Sequence, residues 1–446
     1  MHSMQFRDRF FQLAAVNVLS NLMVPLAGLV DMAFLGHLPE IRHLAGVALA
    51  TVLFHYIYWT FGFLRMATTG TTAQAAGRQD QDGVLLIGLR NAGLALAIGI
   101  SIWVLQYPLR EIGFALLSAE PEVKAAGIDY YNALIWAAPA TLINFVLIGW
   151  FLGREHGGKV LVLSLIGNGT NVILDYLFVV QQGWGSAGAG WGTGLSQCLM
   201  LLIGLVLVSR ELKLSQVQAV TAKLFDLSDW RAAFLLNGDI VVRTFALVSA
   251  FALFTNFSSA LGTTVLATNT LLLQVVTLAA YFIDGLAFAT ESFAGKFYGQ
   301  GASDRLLTLI WLSGGVSLGL GLAFAAAFAL FPTPLFGLLT NHADVLEQVN
   351  RFVLWLFPVL GFGAIAYTLD GYFLGLTEGQ ILRQSTVVAT LLGFVPMGAI
   401  AWQLHSAHLL WMAMVLLMAT RAITLTRRVP ETLWVKSVMQ ASDVSK

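Results

Sequence analysis

The stretch PLAGLVDMAFLGHL runs from Pro25 to Leu38. It is apolar until His37 except for one carboxylate, Asp31, and no cation lies within a helical turn of that acid. An acid inside an apolar segment of membrane length costs about 2.5–3.5 kcal/mol on insertion scales, so a residue of this kind is a functional candidate by default. Pro25 lies about one and a half turns earlier and marks an expected hinge in the same helix.

The chain around this stretch has 446 residues, of which 57% are hydrophobic and only 11% charged. Soluble domains carry about 25% charged residues, so this is the composition of a polytopic membrane protein, with the lipid bilayer as its main partner. The formal net charge of zero argues against nucleic acid as a partner. The single cysteine, Cys198, excludes an internal disulfide and any cysteine-based metal site. The opening MHSMQFRDRFFQ is short and basic. The apolar run after it is too long for a signal peptide and lacks a small-residue cleavage site, so the first span is expected to be retained.

Segments long enough to cross a bilayer fall at 10–38, 44–77, 84–107, 123–152, 159–181, 188–210, 231–258, 263–296, 305–331, 345–376, 380–402 and 405–426. The expected fold is therefore an all-α polytopic membrane protein with twelve transmembrane helices. With the N-terminus inside, one side carries Arg7, Arg9, Arg78, Arg90, Arg154, Lys159, Arg210, Lys213, Lys223, Arg231, Lys296, Arg305, Arg383, Arg421, Arg427, Arg428, Lys436 and Lys446. The other side carries only Arg42, Arg110, Lys124 and Arg351. This bias predicts that both termini are cytoplasmic.

Residues 211–230 form the longest inner connection, and they divide the chain into an N-terminal lobe, 1–210, and a C-terminal lobe, 231–446. The halves resemble each other. ATTGTTAQAAGRQDQDG (67–83) matches AFATESFAGKFYGQGASD (287–304), and Ala48-Leu49-Ala50-Thr51 aligns with Leu266-Ala267-Thr268-Asn269. PATLINFVLIGWFLG (139–153) is echoed by PVLGFGAIAYTLDGYFLG (358–375). Two such repeats in one orientation predict two six-helix lobes related by a pseudo-two-fold axis along the membrane normal, with a cavity between them.

The acids within spans are Asp31, Asp175, Asp239, Asp284, Glu291 and Asp370. Asn171 precedes Asp175 by one helical turn, so the two share a face. The turn from span 5 to span 6 falls near Gln181–Ser186. That puts Thr193 at the depth of Asp175, and Asp31 lies at a similar depth, about 10 Å from the outer end of span 1. Gly188, Gly190, Gly192 and Gly194 permit close approach of spans 5 and 6. Two carboxylates, an amide and a hydroxyl converging in this way can share a proton or hold Na⁺. The competing reading is that Asn171 and Thr193 are interhelical glue. Arg243, Asp284, Glu291 and Asp370 form a second polar set in the C-terminal lobe, where Arg243 needs Asp284 or Asp370 as its partner. Arg65 either lines an inner cavity or snorkels. No HExxH, GxSxG or Asp-rich diphosphate motif is present, so the chain does not read as an enzyme.

GLVDMAFLGHL (28–38), FLRMATTGTTAQAAGR (63–78), GNGTNVILD (167–175) and YFIDGLAFATESFAGKFYG (281–299) resemble the multidrug and toxic compound extrusion (MATE) family. LDGYFLG (369–375) resembles its DinF-type branch, and differs from the NorM-type placement of the span 10 aspartate. The resemblance covers essentially the whole chain. It implies a monomeric antiporter of a bacterial inner membrane that exports small-molecule drugs and toxins in exchange for H⁺ or Na⁺, with no other cofactor. The family's span 1 acid maps onto Asp31, its span 5 pair onto Asn171 and Asp175, and its span 6 threonine onto Thr193. Its span 4 tyrosine falls on Tyr130 or Tyr131. The alternative within the same superfold is a flippase of lipid-linked precursors, which predicts a strongly cationic cavity.

Overall fold

The computed structural model describes residues 2–117, 119–212, 214–221, 223–224, 227–340 and 342–443. Lys213 and Lys446 of the charge count, and parts of the 211–230 connection, lie outside the described residues. Among the described residues there is no β-strand. Among the described residues, twelve helices are long and apolar enough to cross a membrane: Phe6–Gly36, Arg42–Gly77, Gln81–Val104, Pro121–Gly153, Gly157–Gln181, Gly185–Ser209, Ala233–Ala260, Thr263–Gln300, Ser303–Leu330, Ala343–Gly375, Gly379–Gln403 and Ala407–Leu433. They are spans 1 to 12 below. The chain is a multi-pass, all-α membrane protein. Span 12 runs through Leu433 rather than ending near 426, which takes Arg421 well inside it.

Two compact units are present, Leu19–Arg231 and Met1–Val18 with Ala232–Lys446. The division differs from the expected one at the N-terminus. The reason is aromatic packing: Phe6 stacks edge-on against Phe293 and Phe297, and Phe10 packs at a tilt against Phe293. Gly285 lets span 8 lie directly on the Val18 backbone.

The two units repeat one set of backbone events. Helices end on residues in the left-handed region at one constant separation along the chain: Gln79 and Gly301, Glu155 and Thr377, Gly183 and His405. Span 4 tightens into a 3₁₀ turn at Ile135–Ala137, and span 10 does so at Val353–Trp355. Pro139 and Pro358 explain both turns. Each lacks the N–H that the carbonyl four residues earlier would accept, and its ring crowds that carbonyl.

Within the Leu19–Arg231 unit, Asp80 caps span 3 by accepting from the Gly83 N–H at 2.8 Å. A short helix, Leu214–Thr221, brings Val220 against Leu85 and Leu86 of span 3. Arg90 reaches the Leu224 carbonyl at 3.2 Å beside them. The other unit has a larger apolar core, centred on Phe254, Phe336, Phe394 and Trp411. Inside it the Trp411 indole donates to Asn269 at 2.9 Å, and Asn269 donates to Ser258 at 2.8 Å. Polar pairs of this kind join helices where lipid offers no competing partner.

Candidate functional site

Asp175 is fully buried, at the last turn of the α-helix Gly157–Asp175, and the backbone widens into a π segment, Tyr176–Gln181, directly after it. π segments inside α-helices cluster at functional sites because they re-aim the flanking side chains. One turn back, the Asn171 amide donates to Asp175 Oδ2 and to Thr193 Oγ1, both at 3.1 Å. Thr193 gives its own proton to the Ala189 carbonyl at 2.9 Å, so its oxygen can only accept from Asn171. This fixes the amide with both N–H groups turned into the cluster.

The half-buried Asp31 brings its carboxyl into side-chain hydrogen-bond contact with Asp175. Oδ1 of each acid is buried without a donor among the described residues. Two ionised carboxyls offer only acceptors to each other. A single proton turns one of them into a donor and satisfies the pair. The Tyr130 hydroxyl lies against Thr193 and Thr51 and faces both acids. Tyr131 is turned away, its hydroxyl donating to the Gln106 carbonyl at 2.9 Å. The geometry thus selects Tyr130 from the two tyrosines. It also adds Thr51, which sequence reasoning passed over even though Thr51 lies in one of the repeated segments.

Close packing of span 6 against spans 5 and 4 depends on absent side chains. A Cβ on Gly192 would overlap Asp175 Oδ1, and one on Gly190 would come within 2.6 Å of the Tyr130 carbonyl oxygen. Pro25 sits inside a helix, His2–Gly36, that continues unbroken past it to Asp31. At the separation set by the left-handed residues, the counterparts of Asn171, Asp175 and Thr193 are Gly393, Met397 and Val415. The carboxyl cluster is not repeated in the second unit.

That unit has its own polar set. Asp370 Oδ2 accepts from both Arg243 and Arg421, and all three residues are buried. Of the two partners open to Arg243, the structure selects Asp370. Arg421 corrects the sequence reading, which counted it with the inner flank. It is fully buried, its guanidinium 5.5 Å from the Tyr367 ring centre. Asp284 also faces Tyr367. Glu291 is fully buried on the same helix as Asp284. Asp239 pairs with Arg383 at 2.6 Å. The signal for Arg421 was present in LLMATRAITL, an apolar run that brackets it on both sides.

The chain matches the family model described as MatE over residues 17–177 and 240–398. It is 31% identical over 418 residues to the DNA damage-inducible protein F of Escherichia coli, covering 93% of this chain and 90% of that one. It is 24% identical over 427 residues to the chloroplastic protein DETOXIFICATION 44 of Arabidopsis thaliana, covering 90% of this chain and 77% of that one. A solved structure described as the outward-facing conformation of a multidrug resistance MATE family transporter of the MOP superfamily shares the fold at a TM-score of 0.86. The identity there is 21%, over 96% of each chain. With the family model, the relatives and the fold in agreement, this chain belongs to the MATE family of membrane transporters.

Proposed function

We propose that the protein is a secondary antiporter of a bacterial inner membrane, with both termini cytoplasmic, which exports amphipathic drugs and toxins in exchange for H⁺. The observation that carries this reading is the Asp31–Asp175 pair, with a buried oxygen on each acid that lacks a donor. The orientation of Asn171 favours H⁺ over Na⁺. Both of its N–H groups are directed into the cluster, so in this arrangement Asn171 offers a bound cation no oxygen there. Uptake of one proton removes a buried charge, joins the two carboxyls and frees the Asn171–Thr193 network to rearrange. Span 1 then bends about Pro25, whose missing N–H makes this the weakest point of the helix. The flippase alternative loses support, because Asp370 holds Arg243 and Arg421 in a compact ion cluster.

The test is ethidium transport by purified protein in liposomes under separate H⁺ and Na⁺ gradients. Wild type should respond to the H⁺ gradient. Asp31→Asn, which imitates the protonated acid, should insert normally yet lose gradient-driven transport. Wild-type rates and gradient dependence in Asp31→Asn would refute the assignment of Asp31. A response to Na⁺ alone would refute the choice of ion.

A further inference from the structure

A second site lies where span 11 begins and span 12 ends, remote in sequence from the carboxyl cluster. A cavity of about 210 Å³ there is lined by Ile381, Gln384, Ser385 and Val388 of span 11 and Thr424, Arg427 and Arg428 of span 12. On each helix these positions recur at the three- and four-residue spacing of one face. The hydroxyls of Ser385 and Thr424 meet at 2.6 Å and set the register of the antiparallel pair. From that level, at 1.5 Å per residue, Arg428 lies about 6 Å towards the end of span 12, and Val388 lies about 4.5 Å the other way, into the apolar zone. The cavity is layered accordingly. Two guanidiniums stand towards the end of the helix pair at the level of Ile381, hydroxyls and an amide lie beneath them, and Val388 lies deepest.

The cations are available. Among the described residues no carboxylate pairs with Arg427, and Arg428 shares its charge only with Glu431, at 2.9 Å. Both arginines are exposed. The volume is below the roughly 300–1,000 Å³ of drug-sized pockets, so this is not a second export site. It suits a phosphodiester head whose acyl chain continues along Val388.

We propose that this cavity binds the headgroup of an anionic phospholipid. Guanidiniums recognise phosphate oxygens through paired N–H donors, and basic pockets between transmembrane helices at a charged leaflet are suited to such heads. The acyl chain anchors the ligand and distinguishes it from free phosphate. Glu431 competes with the lipid for Arg428.

The experiment is native mass spectrometry of the full-length protein in detergent, titrated with phosphatidylglycerol, phosphatidylcholine, inorganic phosphate and glycerol phosphate. Phosphatidylglycerol should bind at least tenfold more tightly than phosphatidylcholine. Arg427→Gln with Arg428→Gln should weaken it about 25-fold, at about fivefold per arginine, and leave phosphatidylcholine unchanged. Glu431→Gln should tighten phosphatidylglycerol, an effect that a purely structural role for the Arg428–Glu431 pair does not predict. Equal binding of the two lipids overturns the proposal, as does wild-type affinity in the double variant. Displacement of phosphatidylglycerol by inorganic phosphate or glycerol phosphate at equal concentration assigns the site to a free anion, and also overturns it.

Discussion

Removing Asp370 should destabilise the protein more than removing either arginine that binds it. Deleting one partner of a buried ion pair costs about 3–5 kcal/mol, mostly because the remaining charge is stranded. Asp370 is the shared acceptor of Arg243 and Arg421, so Asp370→Ala strands two buried guanidiniums at once. Its cost should reach the top of that range, about 5 kcal/mol. Arg243→Ala leaves Asp370 still bound by Arg421, and Arg421→Ala leaves it bound by Arg243. Each single change then loses a charged hydrogen bond, about 1.5–3 kcal/mol, with no stranded acid. Arg243→Ala combined with Arg421→Ala leaves Asp370 alone and should fall between the single changes and Asp370→Ala. The assay is thermal unfolding of detergent-purified variants, followed by fluorescence-detected size exclusion. The expected order of midpoints is wild type, then the two single arginine variants, then the double variant, then Asp370→Ala. An Asp370→Ala midpoint at or above those of the single arginine variants would refute the shared-acceptor account.

Gly192→Ala should displace the Asp175 carboxyl, because the added Cβ lands on Oδ1. Transport should drop at least tenfold with little loss of thermal stability, while Gly314→Ala, whose Cβ meets nothing within 4 Å, should transport normally. His156 lies between spans 4 and 5, and burial together with the neighbouring Arg154 and Lys159 pulls its pKa from 6.5 down to about 4. The unfolded chain therefore takes up a proton that the folded chain refuses. Stability should be constant above pH 6.5 and should decline as pH falls towards 4. A melting series across that window should show the decline in wild type and a flatter profile in His156→Gln.

What the residues determined by themselves is the membrane class, the twelve spans, the repeat and the short-range part of the carboxyl cluster. Apolar length is a local property, and the lipid phase leaves an apolar segment of twenty residues almost no conformation but a helix. Asn171 and Asp175 share a face by helical period alone, and a tight turn puts Thr193 opposite them, so this part of the site was legible from local geometry. The choice of Tyr130 over Tyr131 was not legible. Adjacent residues on a helix point about 100° apart, and only tertiary packing shows that Tyr130 meets Thr51 of span 2 and Thr193 of span 6 while Tyr131 meets Gln106, just after span 3. The same holds for Arg421. A cation near a span end reads as a flank, and only the fold reveals that the helix continues to Leu433 and that Asp370 is there to neutralise it. The unit to which the first 18 residues belong also depended on tertiary structure, because Phe6 and Phe10 take partners on span 8, and contact between residues so distant in sequence leaves no periodic trace in the chain.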